Sequence, residues 1–187
     1  MKSVKMNMVI FLFIIAFIGI SFNSNSQDIK PDKRERKELR MAQATANFNI
    51  LDSLLISRRF VLEADYLQNK IGDMISVSST LNFIKIDESK GVLQTGSDFL
   101  VGSNGIGGAT AEGNISDYKI HKNYKSLNHR VTFNLVTSLG LFNIDMNVTS
   151  NNSASATITS SGSGRLTWKG HLMATDFSRV FKGMNRY

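Results

Sequence analysis

Apolar side chains recur at every second position through most of the second half of this chain, and that period leaves few folds open. Leu127, His129, Val131, Phe133 and Leu135 share one parity, and Phe142, Ile144, Met146 and Val148 share another across Ser138-Leu-Gly140. Between them stand Arg130, Thr132, Asn134, Asn143, Asp145 and Asn147. Each segment therefore reads as a strand with one face in a core and the other in water. The intervening runs are rich in Gly, Asn and Ser, which supply the positive φ or the side-chain capping that reverses a strand within three or four residues. Successive hairpins, a meander, follow.

A one-residue slip would turn every apolar side chain outward, so parity lets the pairing be proposed. Ile120 is expected opposite His129 and Tyr118 opposite Val131, around Asn123-Tyr-Lys-Ser126. Leu135 then faces Ile144, Phe133 faces Met146, Val148 faces Ala156 across Asn151-Asn-Ser153, and Ala156 faces Trp168 across Ser161-Gly-Ser163. Earlier, Phe60, Leu62, Ala64 and Tyr66 alternate with Val61, Glu63 and Asp65. Two further strands are placed roughly over 74–87 and 92–99, joined by Glu88-Ser-Lys-Gly91. Seven or eight strands with one apolar face roll into a barrel or fold as a sandwich, either of which limits exposed edges. The barrel is favoured. Small residues of the inner parity, Ala154, Ala156, Ser160 and Gly170, either admit the helix closely or leave a cavity.

That helix is announced by Pro31, after which 26 residues contain neither Gly nor Pro. Met41, Ala44, Phe48, Leu51 and Leu55 recur at helical spacing, with Ile50 and Leu54 read as widening the stripe. The face packs on the protein's own sheet or on a partner helix, and a lone helix in a strand-rich chain favours the first.

Lys2 and Lys5 precede the apolar run Met8–Ile20, and Ser24 and Ser26 occupy the −3 and −1 positions of a cut before Gln27. This is the order of a secretory signal peptide, and the run is too short to span a bilayer. Residues 1–26 are read as the signal and 27–187 as one helix-plus-barrel domain, with no stable membrane span after cleavage. Periplasm or secretion is the expected location; an uncleaved anchor is the alternative. With no Cys, the chain has no disulfide, no Cys-ligated metal and no lipidated cysteine. Loss of Lys2 and Lys5 lowers the net charge from +7 to +5. Five of the remaining cations lie in Lys33–Arg40, interleaved with Glu35 and Glu38, as on a solvated helical face. No aromatic residues accompany them, so nucleic acid is not expected; weak attraction to anionic envelope lipids is.

Chemistry-bearing motifs are scarce. The glycines of Gly102–Gly108 match neither GxGxxG nor GxxxxGK[ST], and a strand-like segment follows where a dinucleotide site needs a helix. His129 has inward parity while His121 and His171 have outward parity, so the three cannot converge on one metal ion. Asp145 has no second carboxylate beside it, and Glu63 and Asp65 read as solvated outward residues. An enzyme is not expected, and no cofactor is implied.

The export signal, the charged helix, Phe60-Val-Leu-Glu-Ala64, Asn147-Val-Thr-Ser150, Ala154 and the final Ser163-Gly-Arg-Leu-Thr-Trp-Lys-Gly170 together resemble Domain of Unknown Function 4251, a family of exported Bacteroidota proteins. The resemblance covers roughly residues 35–175. It implies a lipocalin-like barrel or half-barrel preceded by a helix, in a mainly β fold, and it carries over no catalytic residue. The chain departs from the family pattern at Ser97–Gly102, where a Leu-Pro-Tyr type segment is common, and at Trp168, where Tyr is usual. Arg165 is singled out as a constrained charge. The expected role is a non-enzymatic binding module for a small apolar or amphipathic ligand, with His129, Phe133, Met146, Ala156 and Trp168 as candidate contacts. The rival is a structural or interaction module binding an envelope protein. Mass spectrometry of the exported protein is expected to find Gln27 as its first residue.

Overall fold

A computed structural model describes residues 32–96, 108–160 and 165–183. Residues 1–26, read above as a signal, Pro31, Ser97–Gly107 and residues 161–164, where a turn is expected, lie outside the described residues. Lys37–Tyr187 form one compact unit; the residues before it form another, of which 32–36 are described. These begin helix α1 (Lys33–Ser57), where the Lys33 amide donates to Asp32 Oδ1 at 2.6 Å and the Arg36 amide to the Asp32 carbonyl at 2.9 Å. The helix ends without glycine. Arg58 takes a left-handed φ of 53° and returns its amide to the Leu55 carbonyl at 3.3 Å.

Nine strands follow among the described residues: β1 (Arg59–Gln68), β2 (Met74–Ser76), β3 (Phe83–Asp87), β4 (Lys90–Thr95), β5 (Ala109–Asn123), β6 (Asn128–Thr137), β7 (Gly140–Thr149), β8 (Ser153–Ser160) and β9 (Arg165–Ala174). The sheet order is β2-β1-β3-β4-β5-β6-β7-β8-β9, every pairing is antiparallel, and β9 also pairs with β1. That last pairing closes eight strands into a barrel, with β2 as an extra strand on β1. The fold is thus mainly β, a lipocalin-like barrel with one helix, and it is closed rather than half open.

The inward parity of the meander is as the alternation requires: Val131, Phe133, Leu135, Ile144, Met146 and Val148 are all buried. The expected registers are corrected by two residues in three hairpins. Ile120 pairs with Val131 and Lys122 with His129, Phe133 pairs with Ile144 and Leu135 with Phe142, and Val148 pairs with Ala154. Each turn is centred one residue from its expected place, which slides the pairing by two and preserves which face is buried. The β6–β7 turn needs only Ser138 and Leu139 because Gly140 adopts φ 124°; the β7–β8 turn is closed by Asn152 at φ 64°. Ala156 pairs with Trp168 as expected.

Two bulges make further corrections. Between Ser116 and Lys119 the β5 ladder shifts, so Tyr118 lies against Phe133, ring centroids 5.9 Å apart, instead of facing Val131. Between Ala64 and Tyr66 the β1–β9 ladder shifts as well. The inward parity expected for Tyr66 passes to Leu67, and Tyr66 is exposed. In the helix, Phe48, Leu51 and Leu55 are buried, but Met41 and Ile50 are exposed. Met41 lies on the stripe yet precedes the segment that meets the barrel, and Ile50 is on the opposite side of the helix from Phe48. The segment read as one strand over 74–87 is two, β2 and β3, separated by a turn.

One outer face is not wet. Val61, Phe83 and Val92 point to it, and Val180 of the C-terminal segment packs on them.

 Gln94, fully buried, pins that segment: its Nε2 donates to the Phe181 carbonyl at 2.7 Å and its Oε1 accepts from the Gly183 amide at 2.8 Å. Barrel closure itself depends on Gly170, whose Cβ, if present, would stand 1.8 Å from the Glu63 carbonyl oxygen across the β1–β9 seam. Gly170→Ala is expected to lower unfolding free energy by about 1–3 kcal/mol, the usual cost of overpacking, in urea denaturation.

Candidate functional site

The two ends of the barrel are built differently. At the end where β1 begins, Leu51 and Leu55 of α1 join the barrel core. The Tyr118 hydroxyl donates to the Leu55 carbonyl at 2.8 Å, satisfying one of the helix's last acceptors, and the Arg58 guanidinium lies 4.4 Å over the Tyr118 ring. Burial pushes the Tyr118 phenol well above its usual pKa, against a smaller lowering by Arg58. Asp52 forms the polar part of the junction. Its Oδ2 accepts from Lys122 Nζ at 2.8 Å, and its Oδ1 lies 3.3 Å from Nε2 of buried His129, off the line of a hydrogen bond. Phe48 stacks on the His129 ring at 4.2 Å and 16°.

The opposite end holds an apolar cavity of about 320 Å³, lined by Leu93, Ala109, Ala111, Phe142, Ile158, Leu166 and Trp168, with Leu139 and Arg165 at its edge. Strand directions explain the space: Ala109 and Ala111 begin β5 where longer side chains would fill the mouth. Trp168 Nε1 is buried there with no hydrogen-bond partner among the described residues, an omission that costs about 1–3 kcal/mol for a buried donor.

Away from the β6–β7 hairpin the outer face of β5–β9 is polar. A recess of about 580 Å³ on it is lined by residues that include Asp117, Lys119, Asn143, Asp145, Thr159 and Arg165. Asp145 is held by Arg130 in a two-pronged ion pair at 2.9 and 2.6 Å, which also holds the Asp145 carboxyl below its usual pKa. Arg165, expected to be constrained, is exposed and has no ion pair among the described residues. Glu63 is corrected the other way: it is largely covered, accepts from Ser178 Oγ at 2.7 Å and lies 3.6 Å from His171 Nε2. His171, whose Nδ1 is 3.5 Å from Asp65, is on the outside.

All five candidate contacts are buried, but the barrel does not bring all of them to one site. Trp168 lines the mouth cavity, while His129 lies beneath the helix at the far end. Met146 and Ala156 follow Trp168 across neighbouring strands, and Phe133 belongs to the same core cluster. The alternation that selected the five reports which face a side chain occupies and not its height along the barrel axis. Leu93, Ala111 and Phe142 were missed for that reason, although the two alanines at the start of a strand were a visible sign of room.

A closed eight-stranded barrel, stoppered by a helix at one end and hollow at the other, defines the structural class. The chain matches the family model "Domain of unknown function (DUF4251)" over residues 42–172, and it belongs to that family. A crystal structure of a DUF4251 family protein from Bacteroides eggerthii superposes with a TM-score of 0.61 at 28% identity, covering 74% of this chain and 96% of that one. No curated protein matches the chain.

Burial at the helix junction lowers the His129 pKa, and nearby Asp52 opposes this only in part. A histidine whose folded pKa is depressed stabilises the fold fully above its unfolded value, near 6.5, and that contribution is lost as pH falls below it. Unfolding free energy is therefore expected to decline between about pH 7.5 and 5. In His129→Phe this part of the decline is expected to be absent when urea midpoints are measured across the same range.

Proposed function

We propose that this protein is a non-enzymatic binding module of the cell envelope, exported and then released from its signal segment, that takes a small amphipathic ligand into the barrel mouth. The observation that carries the reading is the 320 Å³ cavity, apolar on most of its wall and bordered by Arg165. Cavities of that size suit a small molecule with a few fixed polar contacts. Two residues on the wall carry donors for the ligand's polar end: Trp168, whose N–H has no partner among the described residues, and Arg165, which also borders the outer polar recess. A carboxylate or carbonyl oxygen is the group that either donor would bind.

Native mass spectrometry of the exported protein, followed by organic extraction, is expected to find one bound small molecule. Ala111→Leu fills the cavity with an apolar side chain, so it is expected to remove the bound species while leaving the thermal midpoint unchanged or higher. Trp168→Phe keeps most of the packing and deletes the N–H, and is expected to weaken binding without abolishing it. An empty wild-type protein, or a ligand retained in full by Ala111→Leu, would count against the reading.

A further inference from the structure

We propose that the cavity end of the barrel docks on an anionic lipid bilayer. Two hairpins stand at that end. The β1–β2 connection exposes Ile71 (79%), Met74 and Ile75 (61%), and the β6–β7 hairpin exposes Val136 (50%), Leu139 (51%) and Leu141. Val136 and Leu141 are cross-strand partners on the outer face, with Leu139 at the tip between them. In the ring of eight strands β1 and β6 are separated by four steps, so the two hairpins rise on opposite sides of the mouth. Single exposed aliphatic residues are ordinary; here three stand on each of two hairpins at the same end of the barrel.

The charges of the rim point to the same partner. Its described residues carry Lys70, Arg165 and Lys182 against two carboxylates, and both of these are engaged, Asp73 by Asn69 Nδ2 at 2.9 Å and Glu112 by Lys182. Without residues 1–26 the chain still has a net charge of +5. Apolar side chains with an excess of cations match the interface of a bilayer containing anionic lipid, where aliphatic groups enter the boundary layer and cations meet headgroups. Leu139 is shared by the rim and the cavity wall, so an acyl chain entering from the bilayer stays on apolar surface. That last step rests on the cavity reading above; docking itself does not.

The experiment is co-sedimentation of the exported protein with phosphatidylglycerol–phosphatidylcholine vesicles and with phosphatidylcholine vesicles alone. Binding is expected to the anionic vesicles and to fall at least tenfold in Ile71→Glu/Leu139→Glu. Ser126→Glu/Asn147→Glu adds the same charge away from the rim and is expected to retain most of it. Ala111→Leu is expected to dock as the wild type does, so vesicle binding by a protein empty in mass spectrometry would sink the cavity reading and leave docking in place. Failure of the wild type to sediment would overturn the proposal. Equal losses in the two glutamate pairs would overturn it too, as would light scattering that shows a dimer dispersed by Ile71→Glu/Leu139→Glu.

Discussion

The seam between β1 and β9 is the constraint on which the rest of the structure depends. Without it the meander would be an open sheet with a long edge at each side, and its inner face would have no opposite wall. The seam brings a backbone carbonyl so close to Gly170 that no side chain can be carried there. It also includes the bulge at Asp65, which turns Tyr66 out and Leu67 in. Closure is therefore achieved by local irregularity in strands that are otherwise regular, as a sheet that must curve on itself requires.

Once the ring is closed, its two ends must be dealt with separately. One is covered by the last turns of α1, whose Leu51 and Leu55 extend the core and whose Asp52 enters a partly desolvated group with Lys122 and His129. That group is a poor source of stability, because a buried imidazole without a good hydrogen bond offsets part of what the packing gains. It does make the position of the helix specific. The other end carries no helix among the described residues, has small residues at the start of β5, and retains space. An asymmetry of this kind, one end packed and one end hollow, is what separates a barrel that can receive a ligand from one that is only a core.

Much of this was legible in the sequence, and the misses have a common cause. The period of two identified the strands and their buried faces correctly from β6 to β9. Three registers were nevertheless wrong by two residues, because parity defines pairing only modulo two and the exact turn decides the rest. Gly140, at positive φ, let the β6–β7 turn close one residue tighter than expected, whereas the β7–β8 turn, closed by Asn152 at positive φ, and the β5–β6 turn keep their expected lengths and are displaced by one residue. The bulges at Asp65 and Asp117–Tyr118 carry no periodic signal at all. For the candidate contacts, alternation found the interior but not the height within it, so Trp168 and His129 were grouped although they lie towards opposite ends.

By itself the sequence determined the helix, the antiparallel meander and which side of each strand is apolar, since these follow from local spacing and turn chemistry. It determined the family as well, through short motifs along the strands. Only the tertiary structure decided that the sheet closes, that α1 covers one end, and that the remaining cavity is bordered by an exposed apolar rim. Those features depend on contacts between residues far apart in the chain, from Leu55 with Tyr118 to Phe60 with Ala174, and no local pattern encodes them.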